Sequence, residues 1–227
     1  MFQKRICTKI VSLLLIIGCL MSEPVLAEKQ KEPEAQTLYS KSCAMVDGDS
    51  GRLLYGKEAQ TALPNASTTK ILTAYIIIRN CDLDDKVTVS ADAIANMADS
   101  SKCGLAAGDV LTVRDLLYGL LLVSGNDAAN VLAEYYSGSI DKFAEEMNRE
   151  AKALGATQSH FVNANGLPDD DHYTTVYDMY LIFQEAIQTQ DFIDIIHTKS
   201  YDAAYQNASG NTCLLYTSDA ADDLTRV

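Results

Sequence analysis

Apolar side chains fall in short blocks separated by polar runs, and their spacing changes along the chain. Over 68–80 the block Ile71, Leu72, Tyr75, Ile76, Ile77 and Ile78 leaves few polar positions, which predicts a helix buried on most of its faces. Further helices are expected over 113–122, 127–136, 139–154 and 175–189. The one over 139–154 is amphipathic, with Asp141, Lys142, Glu145, Arg149 and Glu150 marking a solvated face. Cys43–Val46 and Arg52–Tyr55, joined through Asp47, Gly48, Asp49, Ser50 and Gly51, read as a β-hairpin. A late strand is expected near 198–205. The sum is a mixed α/β (α+β) architecture without internal repeats.

Residues 1–27 have the layout of an export signal. Lys4, Arg5 and Lys9 precede an apolar stretch from Ile10 to Met21, and Val25, Leu26 and Ala27 form a small-residue cleavage site. A rival reading places a lipidated cysteine at Cys19 after Ile16, Ile17 and Gly18. The apolar stretch is shorter than the roughly 20 residues that a membrane span needs. Residues 28–37 are polar and aperiodic and read as a flexible leader. The expected mature chain is an exported, extracytoplasmic protein whose composition suffices for one core or two closely joined subdomains.

The candidate chemistry begins at the start of the buried helix. Ser67 and Lys70 stand three residues apart, so one turn brings the amine under the hydroxyl. Burial disfavours the charged form of a lysine, and a neutral amine can take the serine proton. The spacing alone is a weak signal, because Ser139 and Lys142 repeat it. That second copy opens the amphipathic helix, so Ser139 reads as a helix cap and Lys142 as a solvated side chain.

A partner motif follows 57 residues after Ser67, as Ser124, Gly125 and Asn126. It lies between the apolar runs Leu116–Val123 and Val131–Leu132, where a sharp turn would project its polar side chains into a cleft, or where Ser124 and Asn126 merely end one helix and cap the next. Ser209, Gly210 and Asn211 repeat the triplet without that setting.

Together the two motifs resemble the penicillin-recognising serine enzymes, most closely the D-alanyl-D-alanine carboxypeptidases, whose superfamily carries S-x-x-K. The resemblance extends to the opening hairpin at 44–55 and to His160–Leu167 and His172–Met179, and covers about residues 38–212. It implies a β-lactamase/DD-peptidase-like fold, an antiparallel sheet packed on a helical cluster, with the opening hairpin pairing with late strands. It further implies that Ser67 attacks the D-Ala-D-Ala peptide bond of peptidoglycan stem peptides, Lys70 accepts its proton, Ser124 relays a proton to the leaving D-alanine and Asn126 holds the substrate backbone. The Ser67 backbone N–H would form part of the oxyanion hole, and β-lactams would acylate the same serine. No cofactor is implied.

The third motif of the family, Lys-Thr-Gly, does not occur. Residues 213–227 do not continue the family pattern, so a C-terminally truncated domain over 38–212 with a non-native tail is expected, and an incomplete sheet with it. Two other functions remain in view. A serine β-lactamase needs a deacylating base, yet Phe161–Leu167 holds no acid. A non-catalytic peptidoglycan or penicillin binder accords with the missing motif.

Charge and dispersed residues narrow the field. With residues 1–27 set aside, 15 basic and 30 acidic residues remain, a net charge of −15. Such acidity repels nucleic acid and offers nothing to anionic lipid. Cys43, Cys81 and Cys103 are too irregularly spaced for a disulfide framework or a zinc site and read as small core residues. Asp169, Asp170, Asp171 and His172 read as a solvated loop rather than a metal site, since consecutive acids cannot all face one ion.

Overall fold

The computed structural model describes residues 38–95, 97 and 100–218. The expected signal over 1–27, the leader over 28–37 and residues 219–227 of the expected tail lie outside the described residues. Among the described residues no helix is long and apolar enough to cross a membrane.

The hairpin β1 (Cys43–Val46) and β2 (Leu53–Lys57) turns where expected, and Asp47 accepts from both the backbone and the hydroxyl of Ser50 to close it. Helix α1 (Thr69–Asn80) is the axis of the core. Thr69, Lys70, Leu72, Thr73, Ala74, Tyr75, Ile76 and Ile77 are all buried, so neighbours surround it on nearly every side. Around it pack α2 (Val113–Leu122), α3 (Asn126–Ser137), α4 (Ile140–Ala153), α5 (Val176–Ala186) and α6 (Gln190–Ile196).

Local chemistry sets the ends of these helices. Thr112 and Asp115 cap α2 reciprocally, each side chain accepting from the other's backbone N–H. Gly138 ends α3 in the left-handed conformation, with its N–H on the Glu134 carbonyl at 2.7 Å. Ser139 caps α4 by accepting from the Lys142 N–H at 3.2 Å, and Lys142 is exposed. The second serine–lysine pair is therefore a helix start.

Expectation and structure part in the sheets. Short strands β3 (Lys86–Thr88) and β4 (Val110–Thr112) had no sequence signal, and they join β5 (Ser200–Gln206) and β6 (Thr212–Ser218) in the order β3-β4-β5-β6, all antiparallel. Among the described residues the opening hairpin forms its own two-stranded sheet and does not pair with the late strands. β5 has β4 on one edge and β6 on the other, which leaves it no edge for the hairpin, and its side chains also bind α2. Tyr201 stacks on Tyr118 of α2 with ring centroids 3.7 Å apart, and its hydroxyl donates to Asp115 at 2.7 Å. Ser209, Gly210 and Asn211 form the β5–β6 turn, where the Asn207 side chain accepts from the N–H groups of Ser209 and Asn211.

Candidate active site

Ser67 sits in a 3-10 turn (Ala66–Thr68) that feeds α1. Thr68 donates through both its N–H and its hydroxyl to the Asn65 carbonyl, and the Asn65 amide donates to Thr69 Oγ1 at 2.7 Å. Ala66 has φ +45°, a left-handed conformation that alanine adopts only under constraint. The constraint is close by. Gly166 packs so tightly on this turn that a Cβ there would lie 1.9 Å from the Ala66 carbonyl oxygen, and its own φ is +85°. Ser67 is thus exposed on a turn held from both sides.

One turn on, Lys70 is only 2% exposed. Its Nζ lies 3.2 Å from Ser67 Oγ, 2.7 Å from Asn126 Oδ1 and 2.6 Å from the Asn165 carbonyl oxygen. Asn126 Oδ1 and the Asn165 carbonyl can only accept, so together they take two N–H bonds of the amine. In a neutral amine the remaining lone pair then faces the Ser67 hydroxyl. Burial pulls the Lys70 pKa down to about 8, with the negative charge of Asp127 opposing the shift. Roughly a tenth of the amine is therefore neutral at pH 7, rising to half at the midpoint.

The partner turn is also where the sequence places it. Asn126 opens α3 and is 5% exposed, bound to Lys70 through its side chain and to the Ser101 carbonyl through its backbone N–H at 2.9 Å. Ser124 stands in the same turn at φ +57°, and its buried hydroxyl has no hydrogen-bond partner among the described residues. Lys70 thus joins Ser67 and Asn126, while Ser124 shares the turn of Asn126 without a hydrogen bond to any of the three. A strained residue with a buried, unpaired hydroxyl is a feature common at reaction centres.

Several contributors were not singled out in the sequence. Asn165 serves Lys70 through its backbone, while its side chain donates to Asn130 Oδ1 at 2.9 Å and accepts from the Leu167 N–H. Thr73 donates to the Ala164 carbonyl at 2.7 Å, which fastens the same segment to α1. His172 departs from the solvated loop expected at 169–172. Asp169, Asp170 and Asp171 are exposed, but His172 is 3% exposed. Its Nδ1 accepts from the Val162 N–H at 3.2 Å, which leaves Nε2 protonated and donating to Thr69 Oγ1 at 2.8 Å. Burial lowers its pKa below the ordinary histidine value. The polar run Asn163, Asn165, Gly166 amid apolar neighbours was the available signal.

Cys43, Cys81, Cys103 and Cys213 are free thiols. Burial raises the pKa of Cys81 to about 11 and that of Cys103 further still, so neither thiol is a ready nucleophile. Among the described residues no three His, Cys, Asp or Glu side chains cluster as a metal site.

A serine–lysine pair on a buried helix, an S-x-N turn and helices packed on an antiparallel sheet define the class of DD-peptidase-like proteins. The Streptomyces K15 DD-transpeptidase crystal structure superposes with a TM-score of 0.76 at 31% identity, covering 86% of this chain and 78% of that one. Residues 28–222 match the family profile Peptidase_S11, D-alanyl-D-alanine carboxypeptidase. The chain belongs to that family. It is 37% identical over 154 residues to D-alanyl-D-alanine carboxypeptidase DacF of Bacillus subtilis, covering 66% of this chain and 39% of the relative. It is 38% identical over 180 residues to the D-alanyl-D-alanine carboxypeptidase of Streptomyces sp. (strain K15), covering 74% and 61%. The chain thus spans between two fifths and three fifths of the length of these relatives.

Proposed function

We propose that this chain is a serine D-alanyl-D-alanine carboxypeptidase that acts outside the cytoplasm on peptidoglycan stem peptides ending in D-Ala-D-Ala, through an acyl-enzyme on Ser67. The observation that carries the reading is the Lys70 amine, buried, 3.2 Å from Ser67 Oγ and held by two acceptors that aim it. Family membership supports the same reaction class.

In this reading neutral Lys70 takes the Ser67 proton as Oγ attacks the carbonyl carbon of the terminal peptide bond. The backbone N–H of Ser67 donates to the developing oxyanion. Collapse of the tetrahedral species breaks the C–N bond, and Ser124 passes its proton to the departing D-alanine nitrogen while the Lys70 ammonium returns a proton to Ser124, which regenerates the neutral amine. With Asn126 Oδ1 engaged by Lys70, the Nδ2 amide is the donor that holds a substrate carbonyl. Water then hydrolyses the ester, returning the proton to Ser67. β-Lactams are expected to stop at the ester stage. Serine β-lactamase chemistry draws no support, because Phe161–Leu167 holds no carboxylate and the Asn165 side chain is bonded to Asn130 and Leu167.

The test is labelling with a fluorescent penicillin, followed by assay of D-alanine release from a stem pentapeptide. It is run on the chain as it stands and on one extended by a family-type Lys-Thr-Gly segment. Stable labelling that disappears in Ser67→Ala, with D-alanine released by the extended form, is the expected result. Rapid loss of label would indicate a β-lactamase, and peptide binding with neither labelling nor release a non-catalytic binder.

A further inference from the structure

Asp127 follows the S-x-N triplet and is 2% exposed. Its carboxylate accepts four backbone N–H groups. Oδ1 accepts from Cys103 at 2.9 Å and Ala128 at 2.9 Å, and Oδ2 from Gly104 at 2.8 Å and Leu105 at 3.1 Å. A carboxylate has about four acceptor directions, so this one is filled. Three of the donors belong to an irregular segment, 101–105, in which Ser101, Lys102 and Gly104 are exposed. The same segment reaches the site, since the Ser101 carbonyl accepts from the Asn126 N–H at 2.9 Å. Its Cys103 sulfur fills the space over Gly125, where a Cβ would lie 2.5 Å from Sγ.

We propose that Asp127 is a positioning residue, whose carboxylate straps segment 101–105 across the start of α3 and thereby holds Asn126, and through it Lys70, in line with Ser67. Four charge-assisted bonds are a strong tether for a segment that has no regular structure of its own. Without the tether, the 101–105 backbone loses three of its anchors, and the Ser101–Asn126 bond and the sulfur packed over Gly125 go slack together. A displacement of about 1 Å at a reacting group costs up to a hundredfold in rate. The negative charge of Asp127 also reaches Lys70 and favours its protonated form, so removal has a second, separable signature.

The test compares the full chain with Asp127→Asn and Asp127→Glu by amide hydrogen exchange, NMR titration of Lys70 and penicillin acylation across pH. In Asp127→Asn the amide NH2 must oppose one of the two donor pairs, so the Gly104–Leu105 or the Cys103 amide exchanges about tenfold faster or more. The Lys70 midpoint moves down, and the limiting acylation rate falls about tenfold or more. Asp127→Glu keeps the charge, so the Lys70 midpoint stays while amide protection falls. Unchanged exchange and an unchanged Lys70 midpoint in Asp127→Asn would overturn the proposal. So would exchange of the Cys103, Gly104 and Leu105 amides at unprotected rates in the parent chain, a result independent of whether the variants fold. The rate arm alone depends on the proposed acyl transfer. A parent that takes no label refutes that reaction, while exchange and titration still decide the role of Asp127.

Discussion

Lys70 Nζ and Asn126 Oδ1 are joined at 2.7 Å across 56 residues of sequence, and this bond is what makes two helix starts into one site. Because the oxygen can only accept, it fixes where one amine hydrogen goes and so where the lone pair points. Replacing the amide by a carboxylate keeps the shape but adds a charge that favours the ammonium. Asn126→Asp should therefore raise the Lys70 midpoint above its parent value of about 8 and slow acylation at neutral pH, with recovery at higher pH. Asn126→Ala should slow acylation at every pH. Rates of penicillin labelling against pH distinguish the two.

Gly166 offers a purely steric prediction. A methyl group there would meet the Ala66 carbonyl at 1.9 Å, and the residue sits at φ +85°. Neither backbone nor side chain can yield cheaply, because Asn165 is bonded to Lys70 and Asn130. Gly166→Ala should cost on the order of 3 kcal/mol or more in stability. Denaturant unfolding measures this, and a loss under about 1 kcal/mol would show that the 161–167 segment is not seated on the nucleophile turn.

His172 predicts a pH dependence of stability. Its folded-state pKa is lowered from the model-peptide value of 6.5 by burial, so the unfolded chain binds the extra proton first. Its stabilising contribution is full above about pH 6.5 and falls as pH drops toward the lower folded value. Protonation also places a hydrogen on Nδ1 against the Val162 N–H, breaking that bond. Asp169 favours and His160 disfavours the charged form, neither outweighing burial. The decline in thermal midpoint between about pH 7 and about pH 5 should be smaller in His172→Gln than in the parent, although the variant starts lower.

The two motifs were legible because their chemistry is local. Three residues of helix bring Lys70 to Ser67, and a turn between apolar helices presents Asn126 to Lys70. The helices over 113–122 and 127–136 were legible for the same reason, their apolar faces recurring with helical period. What escaped depends on contacts far apart in sequence. Asn165 acts through its carbonyl, which no side-chain pattern reveals, and the buried His172 is hydrogen-bonded to Thr69, 103 positions away. Strands β3 and β4 are three residues each and exist only through their pairing. The helix expected over 175–189 breaks after Ala186, and α6 starts anew at Gln190. Ser139 caps α4 as its place in the sequence predicts, because a cap needs only its own turn.

The central claim is that a neutral Lys70 activates Ser67, and the pH dependence of Ser67 acylation by a fluorescent penicillin tests it most directly. The rate should climb with pH through a midpoint of about 8 to a plateau, and Lys70→Ala should abolish it. A rate that is flat from about pH 6 to about pH 10, or that survives in Lys70→Ala, would contradict the account.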